Sequence, residues 1–191
     1  VVNKAGGNIA VGAIVEMGYV VHDIEAAARK LNETTGAGPF FVYEDIQMHN
    51  VCYRGQEVSI PIDIAMGASG DLVIELIRVR DGTASPFQVP DIASREMVFN
   101  HWSVFVSDFE LEANRLIASG FTEILSAEIA GGAEQSNARL AYFETPGLSG
   151  TYYEIMEASP SHLLQSYQRV IDAGKAQIGN NASLIWSEGQ A

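Results

Sequence analysis

The run AIVEMGYVV, residues 13–21, is rich in Val, Ile and Tyr and predicts a strand. Asp23 follows as an N-cap, and Ala26, Ala27, Ala28 and Leu31 carry a helix that ends near Gly36. The same order returns 85 residues later: FNHWSVFV at 99–106 predicts a strand, Asp108 a cap, and Gly120 the end of a second helix. Val21, Asp23, Glu25, Ala28 and Leu31 recur as Val106, Asp108, Glu110, Ala113 and Leu116. The residue at the head of the echo changes, from Glu16 to His101.

Behind each helix lie three β-like runs. In the first half these are 40–47, 57–66 and 71–79; in the second they are 122–129, 138–145 and 151–157. Residues 80–98 contain Pro86 and Pro90 and are expected to cross the surface as a linker. Leu163, Leu164, Tyr167, Val170, Ile171 and Ile178 keep helical spacing, which predicts a C-terminal helix over 160–178. The expected fold class is α+β. Two β-α-β-β-β modules, 13–79 and 99–158, pair within a single domain, 1–191, into a curved mixed sheet with helices outside, plus the C-terminal helix.

Strand alternation assigns the side chains to faces. Val15, Met17, Tyr19 and Val21 share one face of the first strand, and Glu16, Gly18 and Val20 the other. In 71–79, Leu72, Ile74 and Leu76 oppose Val73, Glu75 and Ile77. In the second half Trp102, Val104 and Val106 oppose His101, Ser103 and Phe105, while Tyr153 and Ile155 oppose Glu154. One apolar face can therefore cover a helix. The other holds one ionisable residue per strand. Burying such groups unpaired is costly, and a shared divalent cation would relieve Glu16, Glu75, His101 and Glu154 together.

Composition narrows the partners. The formal charge of −13, from 24 acidic and 11 scattered basic residues, disfavours nucleic acid. Cys52 is the single cysteine, so no internal disulfide forms. No apolar run reaches the length of a membrane span and no signal-like segment opens the sequence, so the expectation is a cytoplasmic protein without a membrane partner.

In GYVVHDIEAA, GAGPFF, IELI and HWSVFVSD, in this order and duplication, the chain resembles the vicinal oxygen chelate superfamily. That superfamily includes glyoxalases, bleomycin-resistance proteins, methylmalonyl-CoA epimerases and extradiol dioxygenases. The resemblance spans about residues 13–158 and implies metal ligands on the first and last strands of each module, here Glu16, Glu75, His101 and Glu154. The first of these positions is usually His or Gln, so Glu16 departs from the pattern. The resemblance also implies bidentate chelation of a small-molecule substrate, and a homodimer is an open expectation.

An oxygen-rich set with one imidazole suits Mn or Mg and admits Zn, Ni, Co or Fe. A cation that stabilises charge on a substrate oxygen makes a neighbouring C–H bond easier to deprotonate. Glu154 and Glu16 are the candidate catalytic bases. The expected activity is thus that of a glyoxalase-like lyase or isomerase moving a proton alpha to a carbonyl. The alternatives are an Fe(II) ring-cleaving dioxygenase, which normally needs two His, and a metal-free binding or resistance protein. Among the other candidates, His22 and His162 read as surface residues and His49 as one that could reach a pocket. Cys52 reads as packing, and Gly131 and Gly132 as a hairpin. Arg54, Arg78 and Arg139 could contact a substrate carboxylate.

Overall fold

The computed structural model describes residues 9–46, 48–130, 136–177 and 185–187. Gln47, Gly131, Gly132 and Ile178 lie outside the described residues. The first half runs β1 (Ile14–Val21), α1 (Ile24–Thr35), β2 (Phe40–Ile46), β3 (Met48–Tyr53), β4 (Gln56–Glu57), β5 (Ile62–Ser69) and β6 (Leu72–Val79). The second runs β7 (Met97–Val106), α2 (Phe109–Ala118), β8 (Thr122–Ile129), β9 (Ala138–Glu144) and β10 (Tyr152–Glu157). Helix α3 (His162–Gln177) and strand β11 (Ile185–Ser187) follow. No described helix is long and apolar enough to cross a membrane.

Both repeat helices start and stop as their caps dictate. Asp23 accepts from the Ala26 N–H at 3.0 Å, and Gly36 closes α1 in the left-handed conformation. Asp108 accepts from the Leu111 N–H at 3.0 Å. The strands form one mixed sheet in the order β11-β2-β5-β6-β1-β7-β10-β9-β8-β3-β4. Within it, β2-β5-β6-β1 is mirrored by β8-β9-β10-β7, and the antiparallel β1–β7 pair lies at the centre.

The β3–β4 hairpin is an addition to the expected pattern. Met48, His49, Asn50 and Cys52 give a weak apolar signature, because β3 lies next to the end of the sheet and all four are exposed or half-buried. Arg54 and Gly55 turn the hairpin with φ of 49° and 78°, the two positive values that a tight I′ turn requires. The run expected at 57–66 shifts to β5, which begins after Pro61, a residue without a backbone donor. β2 and β3 are consecutive in the chain yet stand near opposite ends of the strand order. The sheet therefore curls until its two ends approach each other.

The two faces carry separate cores. On the outer face α1 buries Ile24, Ala27, Ala28 and Leu31 with Ala65, Ile74 and Leu76, and α2 buries Phe109, Ala113 and Leu116 with Val104, Phe143 and Ile155. On the concave face, Ile62, Met66, Val73, Ile77, Phe105, Leu140 and Met156 meet Leu164, Tyr167, Val170 and Ile171 of α3. The C-terminal helix thus fills the concavity. Gly174 lets it approach, since a Cβ there would come 2.9 Å from the Ala68 Cβ.

Two expectations need correction. Val15 packs with Val20 in the concave core, because a bulge between Ile14 and Glu16 resets the alternation. The 80–98 segment does not simply cross the surface. Ser85, Pro86 and Phe87 are buried, and Phe87 sets its ring edge-on to Tyr142 at 5.4 Å. A benzyl side chain gains about 2–3 kcal/mol by leaving water, which draws the middle of this segment inward.

Gly18 faces His101 across the central strand pair, and a Cβ at Gly18 would come 1.9 Å from the imidazole Cε1. We predict that Gly18→Ala lowers stability by about 1–3 kcal/mol in urea denaturation, because the ring must leave its place. Gly82→Ala, where a Cβ meets nothing within 4 Å, is the control and should change stability by less than about 0.5 kcal/mol. Equal effects from both substitutions would show that the ring has room to move.

Candidate metal centre

Glu16 and His101 sit on the two central strands, and Glu75 and Glu154 on the strands that flank them, β6 and β10. All four side chains reach one point on the concave side. The His101 Nε2 atom lies 3.4 Å from Glu16 Oε1, 3.5 Å from Glu154 Oε2 and 3.6 Å from Glu75 Oε2. Ligand atoms bonded to one ion at about 2.0–2.2 Å stand about 3–3.5 Å apart, so this spacing fits a shared cation. Glu16, His101 and Glu154 form the tightest group, with their ligand atoms all within 4.8 Å of one another. Glu75 stands at its margin, with 12% of its side-chain surface exposed.

The imidazole is oriented from behind. Asn100 Nδ2 donates to the Pro86 carbonyl at 3.0 Å, which turns Asn100 Oδ1 toward His101 Nδ1, also at 3.0 Å. An amide oxygen only accepts, so Nδ1 carries a proton. In the neutral ring, Nε2 then points its lone pair at three carboxyl groups, an arrangement that a cation would relieve. The β1–β7 register skips Asn100, pairing Gly18 with His101 and Tyr19 with Phe99. That bulge lets adjacent residues cooperate.

Three hydroxyl groups complete the shell. Tyr167 donates to Glu16 Oε2 at 2.6 Å, and Tyr142 hydrogen-bonds Glu154. Ser103 Oγ contacts Glu16 Oε1 at 2.7 Å and also a carboxyl oxygen of Glu154. A serine hydroxyl has one proton to give, so without a cation the second contact is best satisfied when the Glu154 carboxyl group carries a proton of its own. Consistent with this, burial pushes Glu154 up to about 7, opposed by His101, raised further by Glu16, and opposed again by Ser103 and Tyr142. Burial, then the charges of Glu16 and Glu154, hold Glu75 well above the ordinary carboxyl range. Burial and the neighbouring carboxylates raise the Tyr142 and Tyr167 phenols far enough that both remain donors.

A cavity of about 170 Å³ opens onto Glu75 and Glu154 between the sheet and α3. A larger, open groove of about 890 Å³ passes His22, Arg78, Arg80 and Gln88, but none of the four clustered residues lines it. His22 and His49 are exposed and Cys52 is half-buried. His162 departs from its expected surface position: it is half-buried, and neither ring nitrogen has a hydrogen-bond partner among the described residues. Arg54, Arg78 and Arg139 are held by Glu144, by Asp63, and by Glu157 with Glu110 respectively. None of these arginines lines the cavity beside the cluster.

Asn100, Tyr142 and Tyr167 had no functional role in the sequence reading, where Tyr167 served only as an apolar position of the C-terminal helix. Ser103 was legible as a neighbour of His101 two positions along a strand. The other three depend on a bulge, on sheet curvature and on where α3 docks.

A family model described as the Glyoxalase/Bleomycin resistance protein/Dioxygenase superfamily matches residues 16–143. Comparison with curated proteins found no match. Among solved structures, a hypothetical protein from Bacillus halodurans C-125 is 18% identical with a TM-score of 0.50, over 76% of this chain and 93% of its own. Methylmalonyl-CoA epimerase from Mycobacterium tuberculosis is 17% identical with a TM-score of 0.48, over 85% and 97%. A Streptomyces coelicolor methylmalonyl-CoA epimerase in complex with 2-nitronate-propionyl-CoA is 13% identical with a TM-score of 0.46, over 78% and 99%. At these identities structural likeness speaks to the fold alone; the family model, which covers more than half the chain, speaks to descent. The chain belongs to the glyoxalase/bleomycin resistance protein/dioxygenase superfamily.

Proposed function

We propose that this protein is a metal-dependent, glyoxalase-like lyase or isomerase that moves a proton alpha to the carbonyl of a small oxygen-chelating substrate. The observation that carries this reading is His101 Nε2, aimed by Asn100 into the buried carboxyl groups of Glu16 and Glu154 and the partly exposed one of Glu75, at 3.4–3.6 Å. We assign Glu16, Glu75, His101 and Glu154 as the residues that hold a divalent cation. Modules 13–79 and 99–158 then act as one domain, each supplying two ligands. The bound cation supplies Lewis-acid stabilisation of charge that develops on a substrate oxygen.

The protein's own groups do the rest. Glu154 lies on the cavity wall and is the proton acceptor. Ser103 and Tyr142 hold its carboxyl group in place while it gains or loses a proton. Glu16, clamped by Tyr167 and Ser103, is the second candidate base. The apolar walls and α3 exclude water, so a proton taken from carbon stays within the site. Only one of the four ligands is an imidazole, whereas ring-cleaving iron chemistry uses two His and one carboxylate. The carbon-acid reading therefore fits the donor set better.

Glu154→Gln keeps the shape and one oxygen but removes the base. It is expected to retain most of its metal while losing solvent-deuterium exchange into 2-hydroxyacetophenone by at least about a hundredfold. His101→Ala should release metal and activity together. Near-normal exchange in both Glu154→Gln and Glu16→Gln would sink the carboxylate-base mechanism.

Asn100→Leu removes the acceptor that fixes the imidazole and should weaken Mn²⁺ binding about 10–100-fold by calorimetry. Asn100→Asp keeps an acceptor and should recover most of that affinity. Equal losses in the two variants would assign Asn100 a packing role only.

The metal-free protein should also respond to pH. Glu154 binds its proton more tightly folded, at about 7, than at its ordinary 4.5, so the stabilisation is fully present below 4.5 and fades as pH rises through 7. A shift of that size corresponds to roughly 3 kcal/mol at most. The metal-free Tm is thus expected to fall mainly between about pH 4.5 and 7, and added Mn²⁺ to raise Tm more at pH 8, where Glu154 has shed its proton. A Tm that holds steady across this range, with no pH dependence of the Mn²⁺ effect, would contradict the protonated metal-free site.

A further inference from the structure

The cavity walls carry information about the substrate that the metal ligands do not. Most of the lining is apolar, with Ile62, Ile64, Met66, Leu140, Met156 and Leu163 among it. The polar groups among them are carboxyl groups and hydroxyls, from Glu75, Glu154, Tyr43, Tyr142, Ser166 and Tyr167. No described lysine or arginine lines the cavity. Those nearby are engaged elsewhere: Asp63 binds Arg78 and Arg80, Glu144 binds Arg54, and Glu157 binds Arg139. Arg169, an exposed residue on α3, donates to Ser166 Oγ at 3.0 Å but does not itself line the cavity.

Charge and size then point the same way. Three carboxylates around one divalent cation leave a local charge near −1. A substrate carboxylate entering this apolar space would meet that excess with no counter-charge and would lose its hydration. A cavity of about 150 Å³ with aliphatic walls holds a benzene molecule, and this one measures about 170 Å³. We infer that the site takes an uncharged oxygen chelator with an apolar body about one ring in size, and that it excludes carboxylates. This inference rests on the proposed function for the chelating role of the substrate, whereas the preference for a neutral ligand follows from the walls.

The test is calorimetry on the full chain with two ligands that share a phenyl ring and vicinal oxygens: neutral 2-hydroxyacetophenone and anionic mandelate. Each is titrated into metal-free and Mn²⁺-loaded protein, with water-proton relaxation reporting displacement of water from Mn²⁺. The ketone is expected to bind at least about tenfold tighter than mandelate in both states, and to lower the relaxation enhancement. Leu163→Lys, which puts a cation on a half-buried cavity wall, should narrow that ratio by tightening mandelate. Mandelate binding as tightly as the ketone to the wild-type protein would overturn the inference while leaving the proposed function standing. Ketone binding with unchanged relaxation would instead overturn the chelation step, with the neutral preference of the metal-free protein still supported. No ketone binding in either state, or an unchanged ratio in a folded Leu163→Lys variant, would also overturn the inference.

Discussion

Three carboxyl groups packed around a single imidazole nitrogen form the constraint on which the rest of the structure depends. Ordinary burial of such groups would be prohibitive; a shared cation or shared protons must neutralise them. The arrangement survives only if each side chain is held at its place. Asn100 fixes the ring, Ser103 ties Glu16 to Glu154, and Tyr167 and Tyr142 secure their outer oxygens. Gly18 gives the ring its space by lacking a side chain.

A second buried acid shows what the cluster avoids. Asp63 is also fully buried, and burial pushes its pKa up. The Asp45 backbone N–H and the guanidinium groups of Arg78 and Arg80 more than offset that, leaving it below the ordinary value. Arg78 reaches it at 2.6 Å and Arg80 at 2.7 Å. This site is self-contained: its charges are balanced by the protein, and it ties β5 to β2 and to the end of β6. At the His101 cluster no arginine approaches, and Glu154 and Glu75 move the opposite way. The difference between the two sites is that only Asp63 has cationic partners among the described residues.

The sheet's two faces divide the labour. Helices α1 and α2 cover the convex side and make the scaffold rigid, which leaves the concave side free for the cluster, the cavity and α3. Because α3 carries both wall residues and Tyr167, the segment that closes the cavity also touches a candidate ligand. Phe87 does similar work from the other direction, packing on Tyr142, while the Pro86 carbonyl beside it anchors Asn100. The cavity and the carboxyl–imidazole cluster are thus built from the same contacts.

Strand parity and the 85-residue echo were enough to place Glu16, Glu75, His101 and Glu154 on one face, because a period of two is written directly in the residue order. The caps Asp23 and Asp108 and both repeat helices were legible for the same reason: their determinants lie within a few residues. Local patterning could not supply what depends on distant partners. The bulges at Val15 and Asn100 arise from the pairing of β1 with β7, and β3 is a strand only because β8 is there to accept it. The inward course of Phe87 and the docking of α3 are settled by the apolar space that the curled sheet leaves open. The sequence alone named the groups that could bind a cation; only the tertiary structure decided what orients them and what kind of cavity they face, since both are properties of residues that meet across the fold.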